Sequence, residues 1–350
     1  MDIIEIFEKN INNNFARPYI IAEAGVNHEG NIDKAKRLIE MANKGGADAI
    51  KFQTYKAEYL ASKNSPSYWN LRDEKTESQY KLFKKYDKFW KKEYEILKNI
   101  CDREDIEFLS TPFDKISANF LNDLMRVFKI SSSDINNFDF INYICKFKKP
   151  IILSTGASNI KEIKKSTKII LNKKINLCLL HCILNYPTLD KDANLGMITD
   201  LKKNFKDILI GYSDHTKPKN MKILEVATLL GARIIEKHFT LNKKLKGNDH
   251  YHSMDYKDLL TFNKKFKKLE LIIGSQKKDY LESEVISRQN ARRSLVAAIN
   301  INKNQKILKK HLTWKRPGSG ISVENFEKVL GKSAKVFIKK DTVLTNKLIK

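Results

Sequence analysis

A repeated unit along the first two thirds of the chain most constrains its fold. A short apolar run is followed at once by hydroxyl, carboxylate, amide, amine or imidazole side chains, and this unit occurs eight times. Such runs are typical of parallel strands covered on both faces. A single strand end of this kind would be better explained as a capped turn into a helix, with Asp214 or Thr216 as the capping residue in one case, and only the recurrence of the unit favours a site. The eight runs are 19–24, 49–52, 107–109, 127–130, 151–153, 177–180, 208–210 and 233–235.

Amphipathic helical patterns separate these strands, as at 32–43 and 221–230. Gly45, Gly46 and Gly231 follow such patterns, at positions where left-handed helix caps are common. Eight strand–helix units in about 270 residues predict an α/β fold of the TIM (β/α)8 barrel class, with a doubly wound open sheet as the alternative. Polar residues at all eight strand ends favour the barrel, because only a closed barrel brings every end together.

The pattern changes after a helical stretch near 256–273. We predict a barrel domain over residues 1–280, a polar linker over 281–290 and a compact β-rich domain over 291–350. In that last domain Arg316 occupies a basic turn, which would be simply solvated if it had no function. The connection from Thr54 to Lys88 is long for a barrel loop, so it is either a lid or substrate wall, or a peripheral helical decoration.

The formal net charge is +25, from 66 Lys and Arg against 41 Asp and Glu. Such a balance can indicate nucleic-acid binding. Here the lysines are spread over every helical segment, without an arginine-rich arm, so we interpret them as solvated helix faces and expect no nucleic-acid partner. The positive field would still gather an anionic substrate.

No apolar run is long enough to span a membrane, and the acidic N-terminus lacks the features of a signal peptide, so we expect a cytoplasmic protein without a membrane partner. The four cysteines suit a reducing compartment. Cys178, His181 and Cys182 invite a zinc interpretation, but no second ligand pair stands at a suitable spacing.

The strand ends carry chemistry that suits a phosphorylated, carboxylated anion. Lysines supply charge and hydroxyls supply directed donors. His215 and His238 follow neighbouring strands, so their rings could reach one divalent ion acting as a Lewis acid, although a single strand-end histidine is more often structural. The cationic and hydroxyl residues of this mouth are Lys51, Lys129, Lys237, Thr111, Ser132, Ser154 and Ser213.

Nine motifs in order carry a resemblance to a known family. They read IAEAGVNHEG, KFQTYKAE, FLSTPFD, VFKISSSD, PIILSTGAS, LLHC…YPT, IGYSDHT, IEKHFT and TWKRPGSGIS. Together they closely resemble the sialic acid (nonulosonic acid) synthases over residues 18–350. The resemblance implies a TIM barrel followed by a small antifreeze-like SAF domain. It also implies a domain-swapped homodimer in which each SAF domain covers the partner's barrel.

The implied reaction condenses phosphoenolpyruvate with an N-acetylmannosamine-like sugar and releases phosphate. The resemblance assigns a divalent metal to His215 and His238, with manganese first and magnesium or cobalt as alternatives. It gives Glu23 a proton-handling role and Asp134 a catalytic one, and it brings Arg316 to the N-acyl group from the partner. The phosphoenolpyruvate residues would be Lys51, Lys129, Thr111, Ser132, Ser154 and Ser213. The sugar-side residues would be Glu23, Gln53, Tyr186 and Asp249.

Three departures from the common pattern lie near the sugar. Ile183-Leu184-Asn185 stands where Thr and then Asn is usual, Ser131–Asp134 replaces a Gly-Ser-Gly-Glu run, and GNDHYHS replaces a Gly-Pro-Asp run. The acceptor is therefore open, and a 6-deoxy di-N-acyl hexose, as for legionaminic or pseudaminic acid synthases, is the alternative. A 3-deoxy-octulosonate-type synthase and a non-catalytic carbohydrate- or nucleic-acid-binding protein are further alternatives.

Overall fold

The structure is a computed structural model that describes residues 1–8, 16–69, 71, 74–247, 249–275 and 277–350. The chain divides into two compact units, Met1–Gly274 and Ser275–Lys350. The sequence-based boundaries at residues 280 and 290 stay predictions. No helix of the described ranges combines the length and apolarity that crossing a membrane requires.

Eight parallel strands form one sheet in the first unit. They are β1 (Tyr19–Gly25), β2 (Ala49–Thr54), β3 (Glu107–Pro112), β4 (Phe128–Ile130), β5 (Ile151–Ser154), β6 (Leu177–Cys182), β7 (Leu209–Asp214) and β8 (Ile234–His238). The hydrogen-bonded order runs β3-β2-β1-β8-β7-β6-β5-β4, and β3 and β4 lie beside each other. The sheet is therefore a nearly closed barrel, which confirms the predicted TIM class.

Helices alternate with these strands. They are α1 (Ile3–Glu8), α2 (Ile32–Gly45), α3 (Ala57–Leu60), α4 (Gln79–Tyr86), α5 (Lys91–Arg103), α6 (Lys115–Leu121), α7 (Phe138–Ile144), α8 (Ile160–Leu171), α9 (Gly196–Asn204), α10 (Lys222–Leu229) and α11 (Tyr256–Ile273). The long connection after β2 contains α3 and α4, and Trp69, Leu82 and Tyr86 form a small buried cluster there.

Helix α2 illustrates why these segments fold as they do. The Asn31 side chain accepts hydrogen bonds from the backbone N–H groups of Asp33 and Lys34, which satisfies donors left free at a helix start. Ala35, Leu38, Ile39 and Ala42 recur at helical spacing, and all four are buried. The helix ends at Gly46, whose left-handed φ of 83° is accessible to glycine at little cost.

Alternation along the strands separates the barrel interior from the helix-covered face. On β1, Ile20 and Ala22 belong to the large core beneath the helices, whereas Tyr19 and Ile21 belong to a second core inside the barrel. Ile3 and Ile6 of α1 join that interior core. The inner positions change from apolar to polar toward the C-terminal strand ends, so the barrel is filled at its N-terminal end and chemically functional at the other.

The second unit is a small β-rich structure with its own core. Strands β9 (Ser294–Ala297) and β10 (Leu312–Lys315) pair antiparallel, and single β-bridges join further segments, as between Val296 and Val343. Leu295, Ile301 and Leu344 are among its fully buried residues. Short helices α12 (Val285–Ala291) and α13 (Phe326–Val329) complete it.

Candidate active site

Polar side chains of the inner strand positions meet at the C-terminal end of the barrel. Residues two apart on a strand point to the same face, so Glu236 and His238 of β8 share the interior. The register pairs Glu23 with Lys51 on one side and with His238 on the other. These pairings fix which functional groups touch.

Lys51 is 3% exposed and lies at the centre of a charged network. Its Nζ is 2.5 Å from Oε2 of Glu23 and 3.7 Å from Oε2 of Glu236, and it donates to Thr111 Oγ1 at 3.0 Å. Gln53 Nε2 donates to Glu23 Oε1 at 3.0 Å. The predicted residues Glu23, Lys51, Gln53 and Thr111 are thus brought into one group.

Lys129 forms the other half of the network. Its Nζ donates to Ser154 Oγ at 2.7 Å and lies 3.7 Å from Oε1 of Glu236. Ser213 Oγ donates to the same Glu236 oxygen at 3.0 Å. Glu236, which the sequence analysis did not select, therefore sits between both lysines.

The two buried glutamates have opposite pKa shifts. Burial raises the pKa of Glu23 above its usual range, although the Lys51 ammonium opposes the shift. For Glu236 burial also acts to raise the pKa, but Lys129 and Lys51 more than offset it and hold the pKa below its usual range. Neighbouring carboxyls whose surroundings shift their pKa values in opposite directions are candidates for different roles in proton transfer.

Ser132 lies at the edge of this lysine and carboxylate network, where its Oγ accepts the Gly156 backbone N–H at 2.9 Å. A side chain at Gly156 would meet this oxygen at 2.9 Å and Cys182 Sγ at 3.2 Å. Glycine is therefore needed for the backbone to approach the Ser132 side chain closely.

The two histidines predicted as metal ligands face each other with ring centres 5.5 Å apart. His215 Nδ1 lies 2.7 Å from the Ile183 carbonyl oxygen, which can only accept, so this nitrogen carries the proton and Nε2 is left as the potential ligand. Burial lowers the pKa of His215 to about 4 and that of His238 well below its usual range. Both rings are neutral at physiological pH, as metal ligands must be.

A third imidazole lies beside them. His252, in the one-turn helix His250–His252, is fully buried with its ring centre 4.9 Å from that of His238. Asp249 Oδ2 is 3.7 Å from His238 Nδ1, and burial, with help from Glu23, raises the Asp249 pKa to about 7.

These side chains fit a divalent ion. Within the described ranges, ligand atoms of His238, Asp249 and His252 all lie within 4.8 Å of one another. His238 Nδ1 and both ring nitrogens of His252 are buried without a hydrogen-bond partner there. Imidazole and carboxylate donors that lack protein partners are the donor set of a first-row transition metal.

Tyr186 forms one wall of the site, with its ring centre 4.2 Å from that of His215 and 6.1 Å from that of His238. A cavity opens beside it toward α4. Its lining is mostly aromatic and aliphatic and comprises Val26, Gln53, Tyr55, Tyr68, Leu82, Phe83, Tyr86, Tyr186, His238 and Asp249.

One lysine singled out from the sequence points away from the barrel interior. Lys237 was expected beside the other lysines, but its Nζ donates to Asp214 Oδ2 and to the Thr216 carbonyl, each at 2.6 Å. That expectation was wrong because Lys237 alternates with Glu236 and points to the opposite face. Asp134 accepts a hydrogen bond from Asn137 at 3.1 Å. Arg316 is exposed in the second unit. The catalytic roles of Asp134 and Arg316 stay predictions.

The NeuB family description matches residues 38–278, and the SAF domain description matches residues 292–350. The chain belongs to the NeuB family. The chain is 38% identical over 331 residues to the N,N'-diacetyllegionaminic acid synthase of Campylobacter jejuni, covering 93% of this chain and 98% of that protein.

Two further proteins, both named as synthases or synthetases of sialic acids, are similar to the chain. The human N-acetylneuraminate-9-phosphate synthase is 30% identical over 333 residues, covering 95% of this chain and 92% of that protein. The crystal structure of the N-acetylneuraminic acid synthetase of Leptospira borgpetersenii superposes with a TM-score of 0.70 at 34% identity, covering 78% of this chain and 91% of that one. The resemblance deduced from nine motifs is confirmed, and the relatives support a nonulosonic acid synthase.

Two site residues of this NeuB family member were not predicted from the sequence. Glu236 could have been found, because it lies two positions before His238 on one strand and must share its face. His252 was noted only as a departure from the common pattern. Nothing in its local sequence indicates that the turn folds back onto β8.

Proposed function

We propose that this NeuB family member condenses phosphoenolpyruvate with the open-chain aldehyde of an N-acyl amino-sugar and releases phosphate. The observation that carries the proposal is the buried network of Lys51 and Lys129 with hydroxyl groups, directly beside two imidazoles. A substrate with a phosphate and a carboxylate needs such cations and donors, and a neutral sugar aldehyde does not.

The lysines would exchange partners when phosphoenolpyruvate binds. Their charges are balanced by Glu23 and Glu236 at present. The anionic oxygens of the substrate would take over part of the lysine interactions, with Thr111, Ser154, Ser132 and Ser213 as further donors. Glu236, held ionised between the lysines, would keep both ammonium groups oriented.

A divalent ion, manganese by our proposal, would be held by His215 and His238 and would supply Lewis-acid polarisation of the sugar's aldehyde. In the reaction, the methylene carbon of phosphoenolpyruvate forms a bond to the aldehyde carbon, whose oxygen gains a proton. Water adds to the resulting cationic carbon and loses one proton. The carbon–oxygen bond to phosphate then breaks, and the leaving phosphate takes the electron pair of that bond and the remaining hydroxyl proton, which leaves a 2-keto acid. Glu23, with its raised pKa, is positioned to carry the proton beside Gln53.

The test is phosphate release from phosphoenolpyruvate by the metal-loaded full chain. We expect release only when an N-acyl amino-sugar and a divalent ion are both present. Lys129→Met should abolish release, because it removes a buried cation, while leaving divalent-ion affinity within about twofold of the wild type, since Lys129 offers no metal ligand. No release with any N-acyl hexose would contradict the proposal.

A 6-deoxy di-N-acyl hexose is the second candidate acceptor. The cavity beside Tyr186 supports it, because Val26, Leu82 and Phe83 offer apolar surface to methyl and acyl groups. The C. jejuni relative is named for a diacetylated product. A panel of N-acyl and di-N-acyl hexoses at fixed phosphoenolpyruvate decides between the candidates by their kcat/KM values.

A further inference from the structure

His252 differs from His215 and His238 in that both of its ring nitrogens are buried without a hydrogen-bond partner in the described ranges. His215 has the Ile183 carbonyl, whereas neither ring nitrogen of His252 has a hydrogen-bond partner within the part of the chain that the structure describes. The side chain is fully buried. Buried polar groups in folded proteins are satisfied in the great majority of cases, so this ring calls for a ligand.

The neighbouring histidine on the same turn shows that the turn itself is not the cause. His250 Nδ1 lies 2.8 Å from Thr240 Oγ1, and its Nε2 lies 3.7 Å from Glu29. His250 is therefore satisfied by protein groups on one side of the turn, while His252 faces the other side. That side holds His238, Asp249 and Tyr186.

The spacing of the rings suits a shared ion. With a metal–nitrogen bond of about 2.1 Å, two imidazoles on one ion have ring centres up to about 6.5 Å apart. The centres of His252 and His238 are 4.9 Å apart, those of His215 and His238 are 5.5 Å apart, and those of His215 and His252 are 6.5 Å apart. The pair of His252 and His238 lies well within this limit, and the pair of His215 and His252 lies at it.

We propose that His252 is a third imidazole ligand of the divalent ion held by His215 and His238, with Asp249 as the adjoining oxygen donor. This inference rests on the proposed function for the presence of the ion and adds its coordination and selectivity. Three nitrogens and one carboxylate favour manganese, iron, cobalt or zinc over magnesium, which prefers all-oxygen sites.

The experiment measures Co²⁺ binding to the full chain by equilibrium dialysis and by the visible absorption spectrum of the bound ion. His252→Ala should weaken Co²⁺ binding at least about tenfold, since even loss of a group that only supports a metal ligand costs that much. Its spectrum should also change, because one nitrogen is replaced by water. His250→Ala, the matched control on the same turn, should keep both the wild-type affinity and the wild-type spectrum.

Unchanged Co²⁺ binding in His252→Ala would overturn the inference, and so would an equal loss in both variants, which would show only a distorted turn. If His252→Ala does not fold, electron paramagnetic resonance of Cu²⁺ in the wild type decides. Three coordinated imidazole nitrogens support the inference and two overturn it.

The outcome for the reaction is separate. If His252→Ala loses Co²⁺ affinity but the metal-loaded wild type releases no phosphate, the assignment of His252 as a metal ligand is supported and the proposed function is refuted. If the wild type releases phosphate but the wild type and His252→Ala bind Co²⁺ equally well, the proposed function is supported and the role of His252 as a ligand is refuted.

Discussion

At the scale of single residues, Glu236 compensates the charges of the two buried lysines, Lys51 and Lys129. Both buried lysines share its carboxylate, which also accepts from Ser213. Glu236→Gln keeps the shape but removes the charge, so Lys129 would lose its carboxylate partner and Lys51 would keep only Glu23. We expect the free energy of unfolding to fall by about 3 kcal/mol at neutral pH, because removing one partner of a buried pair strands the other. Urea unfolding followed by circular dichroism measures the free energy of unfolding of the wild type and of the variant.

The control for this prediction is Glu225→Gln. Glu225 pairs with Lys265 at 2.5 Å, but both side chains are partly exposed. Exposed pairs contribute less than about 1 kcal/mol, so this variant should be nearly neutral. Equal losses in the two variants would mean that Glu236 does not compensate buried charge.

His28 makes stability depend on pH. Its Nδ1 accepts the Gly30 N–H at 3.0 Å, its ring stacks on Phe89 with centres 4.2 Å apart, and burial lowers its pKa to about 3. The unfolded chain, with a histidine pKa of about 6.5, takes up the proton first as the pH falls, so the folded state loses about 1.4 kcal/mol per pH unit below 6.5. The contribution is complete above pH 6.5.

His28→Phe tests this dependence while keeping a stacked ring. Between pH 7 and pH 5 the wild type should lose about 2 kcal/mol more free energy of unfolding than the variant. The other buried histidines titrate in both proteins and cancel in the difference. Parallel pH profiles from urea unfolding would show that His28 is protonated without cost in the folded state.

At the scale of elements, α1 closes the N-terminal end of the barrel. Ile3 is fully buried and packs with Ile6 against the interior core, whereas Ile4 on the same turn is only partly buried. Ile3→Ala should therefore destabilise the protein by about 2–4 kcal/mol, through lost burial and the cavity left behind.

Ile4→Ala, the matched control on this helix, should cost less than half as much in the same thermal or urea unfolding experiment. Because α1 lies at the end of the barrel opposite the lysines, divalent-ion affinity should be unchanged in both variants. A loss of metal binding in folded Ile3→Ala would show coupling through the barrel interior.

At the scale of the whole molecule, the homodimer that the sequence resemblance implies would give Arg316 a role in the partner's site. Coexpression of Lys129→Met with Arg316→Ala tests it, because one site of each mixed dimer would combine an intact barrel with an intact arginine. Random mixing predicts about a quarter of the wild-type rate at limiting sugar. Activity no higher than that of Arg316→Ala alone would place the arginine on its own barrel, or remove it from the reaction.

The net charge of +25 acts over the same scale. A positive field raises the encounter rate with an anion and is screened by salt within about 10 Å at 0.1 M. We expect kcat/KM for phosphoenolpyruvate to fall with rising NaCl while kcat/KM for the neutral sugar changes little. Stopped-flow or steady-state assays of phosphate release at several salt concentrations measure both kcat/KM values. Equal salt dependence for the two substrates would contradict electrostatic attraction of phosphoenolpyruvate.

The sequence by itself determined the strands, the barrel and most of the charged site. Apolar runs and helical periodicity depend on neighbours along the chain, so all eight strands could be placed before any contact was known. The alternation of side chains along β8 also predicts that Glu236 and Lys237 point to opposite faces of the sheet, since adjacent residues of a strand do so.

Only the tertiary structure decided which groups touch. Strand register set Lys51 against Glu23 and put Glu236 within reach of both lysines, and register depends on pairing between segments far apart in sequence. The placement of His252 depends on a turn that returns to β8, where its ring meets that of His238. Such meetings arise from the packing of distant segments, and a local pattern contains no information about them.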